Sequence, residues 1–321
     1  MRIDAQPSAA GNLRKTDLFP EGLHCIGLAA PAGRVAPERY RAACRFLTGL
    51  GIEVIPGRSV LKGDALPYVS APAEDRSADL NELIRDPEVQ AIYCLRGGYG
   101  SVHLLDLLDW TELKRRKLPV VGYSDITSLH AAMRTHRAGI PVSACMALHL
   151  EEDSRGAAFR RDFKRAWGVA LHRNGPFRRI ARLESYVPET ETAEGPLFFG
   201  NLATLASLCG TPWLPKPKRE VIFLEDIAEP VRKLDRTLTQ LLLCGFFTDC
   251  AAVVFGDFRQ CGDRNEREEL FRRFAAEIGK PVFAGLRYGH CPRSVSLVGG
   301  ESAVIRDGAL YLRDPFSGEK S

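Results

Sequence analysis

Short apolar runs alternate with segments of helical spacing along the first half of the chain, and that alternation predicts its architecture. Residues 24–31 (HCIGLAAP) form an apolar run closed by Pro-Ala-Gly, a first strand and its turn. Residues 37–50 carry Tyr40, Ala43, Cys44 and Leu47 at helical spacing; Pro37 suits a first helical turn, and Gly49 or Gly51 ends it. Residues 51–56 are a second strand, 78–84 lie in a short helix, and 89–95 are a third strand ending at Arg96-Gly97-Gly98-Tyr99-Gly100. Residues 102–108 read as a helix. Residues 118–127 (LPVVGYSDIT) read as a buried strand that stops at Gly122 and becomes a helix at Asp125, continuing to Arg137; residues 140–144 are a fifth strand. Continuous apolar strands between helices argue for a mostly parallel sheet covered on both faces, a doubly wound α/β domain over residues 20–150. Ligands of such sheets bind beyond the carboxyl ends of the strands, where Arg96 to Gly98 and Gly122 to Ser124 lie.

The pattern changes after residue 150. Residues 151–194 are charged, with a helix near 159–167 and a linker-like Pro188-Glu189-Thr190-Glu191-Thr192, so the domain boundary falls here. Residues 195–321 predict a smaller mixed α/β domain. Its helices cover 201–209, 230–246 and 266–278, and its strands 195–199, 221–224, 251–255 and 281–286. A hairpin closes it around Arg306-Asp307-Gly308. The helix at 230–246 has Val231, Leu234, Leu238, Leu241 and Leu242 on one stripe. Residues 1–20 show neither pattern and read as a disordered lead-in.

Composition narrows the class of partner. The 321 residues are 45% hydrophobic and 26% charged, as expected of a soluble globular protein of one large or two medium domains. The net charge of +4 is mild. The densest basic runs, at 114–117 and Arg178-Arg179, lack interleaved aromatics, which argues against nucleic acid. Nine cysteines without CxxC spacing, several in apolar runs (Cys94, Cys145, Cys209), suit free thiols in a reducing compartment. No ligand cluster suggests zinc, so no metal or cofactor is expected. Residues 1–19 lack the apolar core of a signal peptide, and no apolar run of membrane-spanning length follows. The cytoplasm is the expected compartment, with no membrane partner.

Four segments could carry chemistry. Ser124 sits where a strand becomes a helix, beside free backbone N–H groups. It reads either as an ordinary helix cap or as a nucleophile. Gly122-x-Ser124 is half of a G-x-S-x-G elbow; Ile126 stands in place of the second glycine. The glycines at 97, 98 and 100 read as a tight turn or as an oxyanion site, completed by the N–H of Asp125. The spacing fits neither a phosphate loop nor a dinucleotide fingerprint. His290 lies in a loop just past a strand, in Gly289-His290-Cys291-Pro292, either satisfied locally or serving as a base. Glu225 and Asp226 follow an apolar strand, where a half-buried carboxylate needs a partner. Either could hold an imidazole; strand alternation favours Glu225, which shares a face with Phe223 away from Asp226. Ser124, Glu225 and His290 thus each end a predicted strand, the first in one domain and the others in the next.

With these segments the chain resembles the LD-carboxypeptidase family, serine peptidases related to murein tetrapeptide carboxypeptidase and to microcin C self-immunity proteins. The matching stretches are residues 95–100 (LRGGYG), 121–127 (VGYSDIT), 200–215 (GNLATLASLCGTPWLP), 223–241 (FLEDIAEPVRKLDRTLTQL), 256–258 (GDF) and 289–292 (GHCP). The resemblance implies a Ser–Glu–His triad: Ser124 the nucleophile, His290 the base and then the acid, Glu225 its orienter. It maps the oxyanion hole to the N–H groups of Gly98 and Asp125. It also implies a cytoplasmic, metal-free homodimer that releases D-alanine from a murein tetrapeptide by hydrolysing the amide after an L-centre, in cell-wall recycling. Arg96 and Arg232 are candidate partners of the substrate carboxylate. One departure is visible: residues 141–146 read PVSACM where relatives often carry a His-Gly-Pro-like turn.

Two other readings are kept. An immunity-type amidase that cleaves peptidyl or aminoacyl nucleotides would need an aromatic to stack on the base, and Trp213 is not evidently placed for it. A non-catalytic ligand-binding module would leave the Ser124 hydroxyl and the His290 ring well separated, whereas a hydrolase brings them within hydrogen-bond reach or about 4 Å.

Overall fold

The computed structural model describes residues 13–187 and 192–316; the lead-in up to residue 12 and residues 188–191 of the linker-like run lie outside it. After α1 (Lys15–Leu18), strands and helices alternate: β1 (Cys25–Ala29), α2 (Pro37–Gly49), β2 (Glu53–Pro56), α3 (Ala73–Arg85), β3 (Ile92–Cys94), α4 (Trp110–Arg116), β4 (Pro119–Val121), α5 (Thr127–His136) and β5 (Ile140–Ser143). These strands lie in the order β2-β1-β3-β4-β5, all parallel. The order reverses between β1 and β3, and it is beyond the strand ends at such a reversal that doubly wound sheets bind ligands. Gly33 after β1 and Gly97 after β3 meet at that point, the Gly33 N–H donating to the Gly97 carbonyl at 3.1 Å.

Period-two alternation along each strand builds two layers. Ile92, Cys94 and Val120 face a core with Leu80 and Leu83 of α3, Leu113 of α4 and Leu129 of α5. Tyr93, Leu95 and Val121 face the opposite core, with Cys44 and Leu47 of α2. Apolar side chains are therefore needed on both faces, which is why these strands read as unbroken hydrophobic runs.

The second half begins with α6 (Leu150–Asp153) and α7 (Ala157–Ala170), then β6 (Phe177–Arg182), β7 (Glu184–Ser185), β8 (Ala193–Asn201), α8 (Leu202–Ser207), β9 (Val221–Ile227), α9 (Val231–Leu243), β10 (Ala252–Arg259), α10 (Arg264–Ile278), β11 (Val282–Ala284), β12 (Leu297–Val298), β13 (Ser302–Arg306) and β14 (Ala309–Arg313). Its sheet runs β6-β14-β13-β8-β9-β10-β11-β7. The central β8 to β11 are parallel, and the flanking pairs antiparallel. This is the mixed α/β arrangement expected. Among the described residues no helix is long and apolar enough to cross a membrane.

Several local expectations are corrected. Residues 13–20 are ordered: Leu18 and Phe19 are fully buried, and the Phe19 ring meets Phe163 and Trp167 edge-on. The charged stretch 151–187 is built into both halves. Phe159, Phe163 and Trp167 of α7 complete the second core of the first sheet, while β6 and β7 form the two edges of the second sheet. Residues 102–108 hold only a 3-10 turn (Ser101–Leu104), because the chain must turn back through α4, which no apolar period announced. β12 returns to the first sheet and pairs antiparallel with β5, Leu297 opposite Ser143.

Arg165 of α7 locks these parts together. It is fully buried, paired with Glu301 at 3.4 Å and Asp162 at 3.1 Å, and donates to the carbonyls of Ser296 and Arg313. Arg165→Ala strands buried Glu301 without its partner. A loss of about 3–5 kcal/mol of stability is expected, read as a lower urea midpoint than wild type.

Candidate active site

The site is built around a backbone irregularity at Ser124. β4 ends at Val121, Tyr123 is extended, and a 3-10 turn (Ser124–Ile126) leads into α5. Ser124 itself has φ +65°, a left-handed conformation that L-residues seldom adopt. Left-handed residues such as Lys117 and Arg137 close helices here, whereas Ser124 opens one. The cap reading fails: Tyr123 occupies the cap position, and among the described residues the Ser124 hydroxyl makes no hydrogen bond. The half-elbow is explained by packing. A Cβ on Gly122 would lie 2.9 Å from Ile126 Cγ1, so isoleucine fills the space on the other side of the turn.

Two loops pack at this turn. A Cβ on Gly97 would sit 2.8 Å from Ser124 Cβ, so only glycine lets the loop after β3 approach the serine. Gly98 has φ +120° and lies against Gly33. Buried Asp125 accepts the Ser101 N–H at 2.8 Å, and its carbonyl accepts the Ser101 hydroxyl at 2.6 Å. Among the described residues, the N–H groups of Gly98 and Asp125 have no acceptor. Arg76, an interior helical arginine that sequence reasoning passed over, is buried and donates to the carbonyls of Pro31 and Gly100, stapling the loops after β1 and β3. Its only sequence signal is a charge on the face of α3 that carries Leu80 and Leu83.

The second half supplies a carboxylate and an imidazole. Glu225 near the end of β9 is 1% exposed, and its Oε2 accepts His290 Nδ1–H at 2.7 Å and the His290 backbone N–H at 3.2 Å. This approach requires Gly289: a Cβ there would be 2.5 Å from Glu225. Asp226 turns away, as strand alternation dictates. It accepts from Asn201 Nδ2 and the Ala203 N–H at the start of α8, and burial pushes its pKa up to about 6. Burial also pushes His290 down, but the hydrogen bond and charge of Glu225, aided by Asp226 and Asp257, outweigh it and leave the imidazole above its ordinary value.

Cross-links set the two halves in register. Thr127 Oγ1 accepts the Asn201 N–H at 3.0 Å, and Asn201 pairs with Glu225 across β8 and β9. The Tyr123 ring stands edge-on to His290 with centroids 5.1 Å apart, so the residue before the serine touches the histidine. Ser143 at the end of β5 donates to the Tyr288 hydroxyl at 3.2 Å, two residues before His290. No hydrogen bond joins Ser124 Oγ to His290. Such contacts commonly close only when substrate binds.

The remaining candidates separate. Arg96 bridges the loops after β1 and β3, donating to the carbonyls of Arg34 and Gly97, and its Nη2 lies 3.7 Å from where a Gly98 Cβ would be. Arg232 is exposed on the outer face of α9, lining a groove with Asp235 and Thr239. Trp213 packs against Trp110 and His136 near the far end of α5, away from Ser124.

The fold is similar to that of a known carboxypeptidase. A muramoyltetrapeptide carboxypeptidase from Oxalobacter formigenes superposes with a TM-score of 0.74 at 26% identity, over 90% of this chain and 98% of that one. Residues 26–143 match the LD-carboxypeptidase N-terminal domain and residues 194–305 the LD-carboxypeptidase C-terminal domain. The chain belongs to the LD-carboxypeptidase family. It is 30% identical to a probable murein peptide carboxypeptidase of Bacillus subtilis, covering 87% of this chain and 88% of that protein. It is 31% identical to a murein tetrapeptide carboxypeptidase of Pseudomonas aeruginosa, over 89% and 94%.

Proposed function

We propose that this carboxypeptidase uses Ser124 as nucleophile to remove the C-terminal D-alanine from murein tetrapeptide. The observation that carries the reading is the buried Glu225–His290 pair, set across Tyr123 from a serine held at φ +65° beside free N–H groups. His290 Nδ1–H is committed to Glu225, so Nε2 is the lone pair left to take the serine proton. The hydroxyl oxygen then adds to the scissile carbonyl. The N–H groups of Gly98 and Asp125 receive the developing oxyanion. Collapse expels D-alanine, whose nitrogen takes the proton from His290. Water, activated by the same imidazole, releases the acyl chain and restores Ser124. Arg96, whose guanidinium lies against the Gly98 loop, is the better placed partner for the terminal carboxylate; Arg232 faces away.

The test is end-product analysis with two peptides. The tetrapeptide ending in L-centre–D-alanine should release free D-alanine, and the pentapeptide ending in D-alanyl-D-alanine should not. Cleavage of the pentapeptide alone would reverse the stereochemical assignment; cleavage of neither, by folded protein, would remove it.

A further inference from the structure

Of the nine cysteines, Cys25, Cys44, Cys94, Cys145, Cys250 and Cys261 are buried. Cys209, Cys244 and Cys291 reach the surface, and two of these three touch: Cys209 Sγ and Cys244 Sγ are 3.6 Å apart. Both stand at helix ends. Cys209 follows α8 and precedes Gly210 at φ +82°; Cys244 caps α9 and precedes Gly245 at φ +77°. Each thiol thus sits at a turn rather than within a rigid helical face. Gln240 Nε2, donating to the Ala206 carbonyl at 3.2 Å, already holds the two helices at this spacing. Cys244 lies on the rims of two surface grooves, one along α9 and one beside the segment 210–218, so a small reagent can reach it.

We propose that Cys209 and Cys244 form a dithiol–disulfide pair, a modification site that takes a small disulfide oxidant. The exposed Cys244 thiolate attacks one sulfur of an external disulfide and expels one small thiolate. Cys209 then attacks the Cys244 sulfur of the mixed disulfide and expels the second. Two protein thiols are oxidised, one external disulfide is reduced to two thiols, and the two protein protons end on them. Burial and the neighbouring sulfur push the Cys209 thiol up to about 11, which suits it to the second, intramolecular step rather than to the first attack. The sulfurs need to close from 3.6 Å to the bonded distance of about 2.05 Å, a movement that two helix-end turns can absorb. The bond closes a segment that contains all of β9, and with it Glu225. It links the two helices packed beside that strand.

The experiment is a thiol titration in denaturant after incubation of the whole protein with oxidised glutathione. The count should fall from nine to seven. Peptide mapping should find the peptides holding Cys209 and Cys244 joined, and the oxidised protein should melt roughly 5–10 °C higher than the reduced one. In Cys209→Ser the reaction should stop at a stable glutathione adduct on Cys244. An unchanged count of nine overturns the proposal. So does a wild-type protein that stops at the adduct, or a bond that maps to other cysteines.

Discussion

Alanine at position 124 is expected to abolish D-alanine release, lowering kcat by about 10⁴–10⁶-fold, while the melting temperature stays at the wild-type value. The two halves of this expectation rest on different observations. The kinetic half rests on the hydroxyl: it is bonded to nothing among the described residues, and it lies beside the N–H groups suited to an oxyanion. The stability half rests on the backbone. At φ +65° any residue with a Cβ carries a strain of order 1–3 kcal/mol, and alanine carries the same strain as serine. Ser124→Gly separates the two terms. It should be as inactive as the alanine variant yet melt at or above wild type, because glycine adopts this φ freely. A Ser124→Ala protein that still turns over tetrapeptide at near wild-type kcat would rule out the serine mechanism.

The parallel half of the fold was legible because both faces of its strands are buried, which forces apolar runs that survive any local ambiguity. The site was legible in outline because its glycines are enforced by contact. Gly97 must admit Ser124, and Gly289 must admit Glu225. The choice between Glu225 and Asp226 followed from strand alternation alone. What the sequence hid is non-local or conformational. A serine at a strand–helix junction looks the same whether it caps the helix or holds a left-handed φ, and the close approach of Gly97 to Ser124 comes from a loop more than twenty residues away. The segment 151–187 reads as linker-like because charged residues are scattered throughout it and break up its apolar positions. Yet Phe159, Phe163 and Trp167 fall at four-residue spacing, and even Arg165 is interior, satisfied by partners more than a hundred residues away. β7 and β12 are two residues each, too short to leave a pattern; only their partners in the sheets define them. The sequence does not choose between Arg96 and Arg232 as partner of the substrate carboxylate, because only the phase of α9 turns Arg232 outward while Leu234 and Leu238 face in.

Glu225→Gln is expected to lower kcat by about 10²–10⁴-fold and to move the acid limb of the pH profile downward. The substitution is nearly isosteric, and Oε1 of Glu225 has no partner to lose, so its effect concentrates on the His290 contact. His290 must be neutral to accept the serine proton. In wild type its pKa is raised: burial lowers it, but the hydrogen bond and charge of Glu225 win. The profile of kcat/KM should therefore rise with pH through a value above the ordinary histidine range of about 6.5 and then level off. In Glu225→Gln the main opposing influence is gone and burial remains, so the limb should shift to lower pH even as the plateau falls. Stability should follow the same group with its own sign. A folded-state pKa above the unfolded one stabilises the protein fully below the unfolded value, and that gain is lost as pH rises through the folded value. The margin in melting temperature between wild type and Glu225→Gln should accordingly narrow across that interval. A variant whose acid limb coincides with that of wild type would show that Glu225 does not set the basicity of His290. The carboxylate would then act on the orientation of the ring alone.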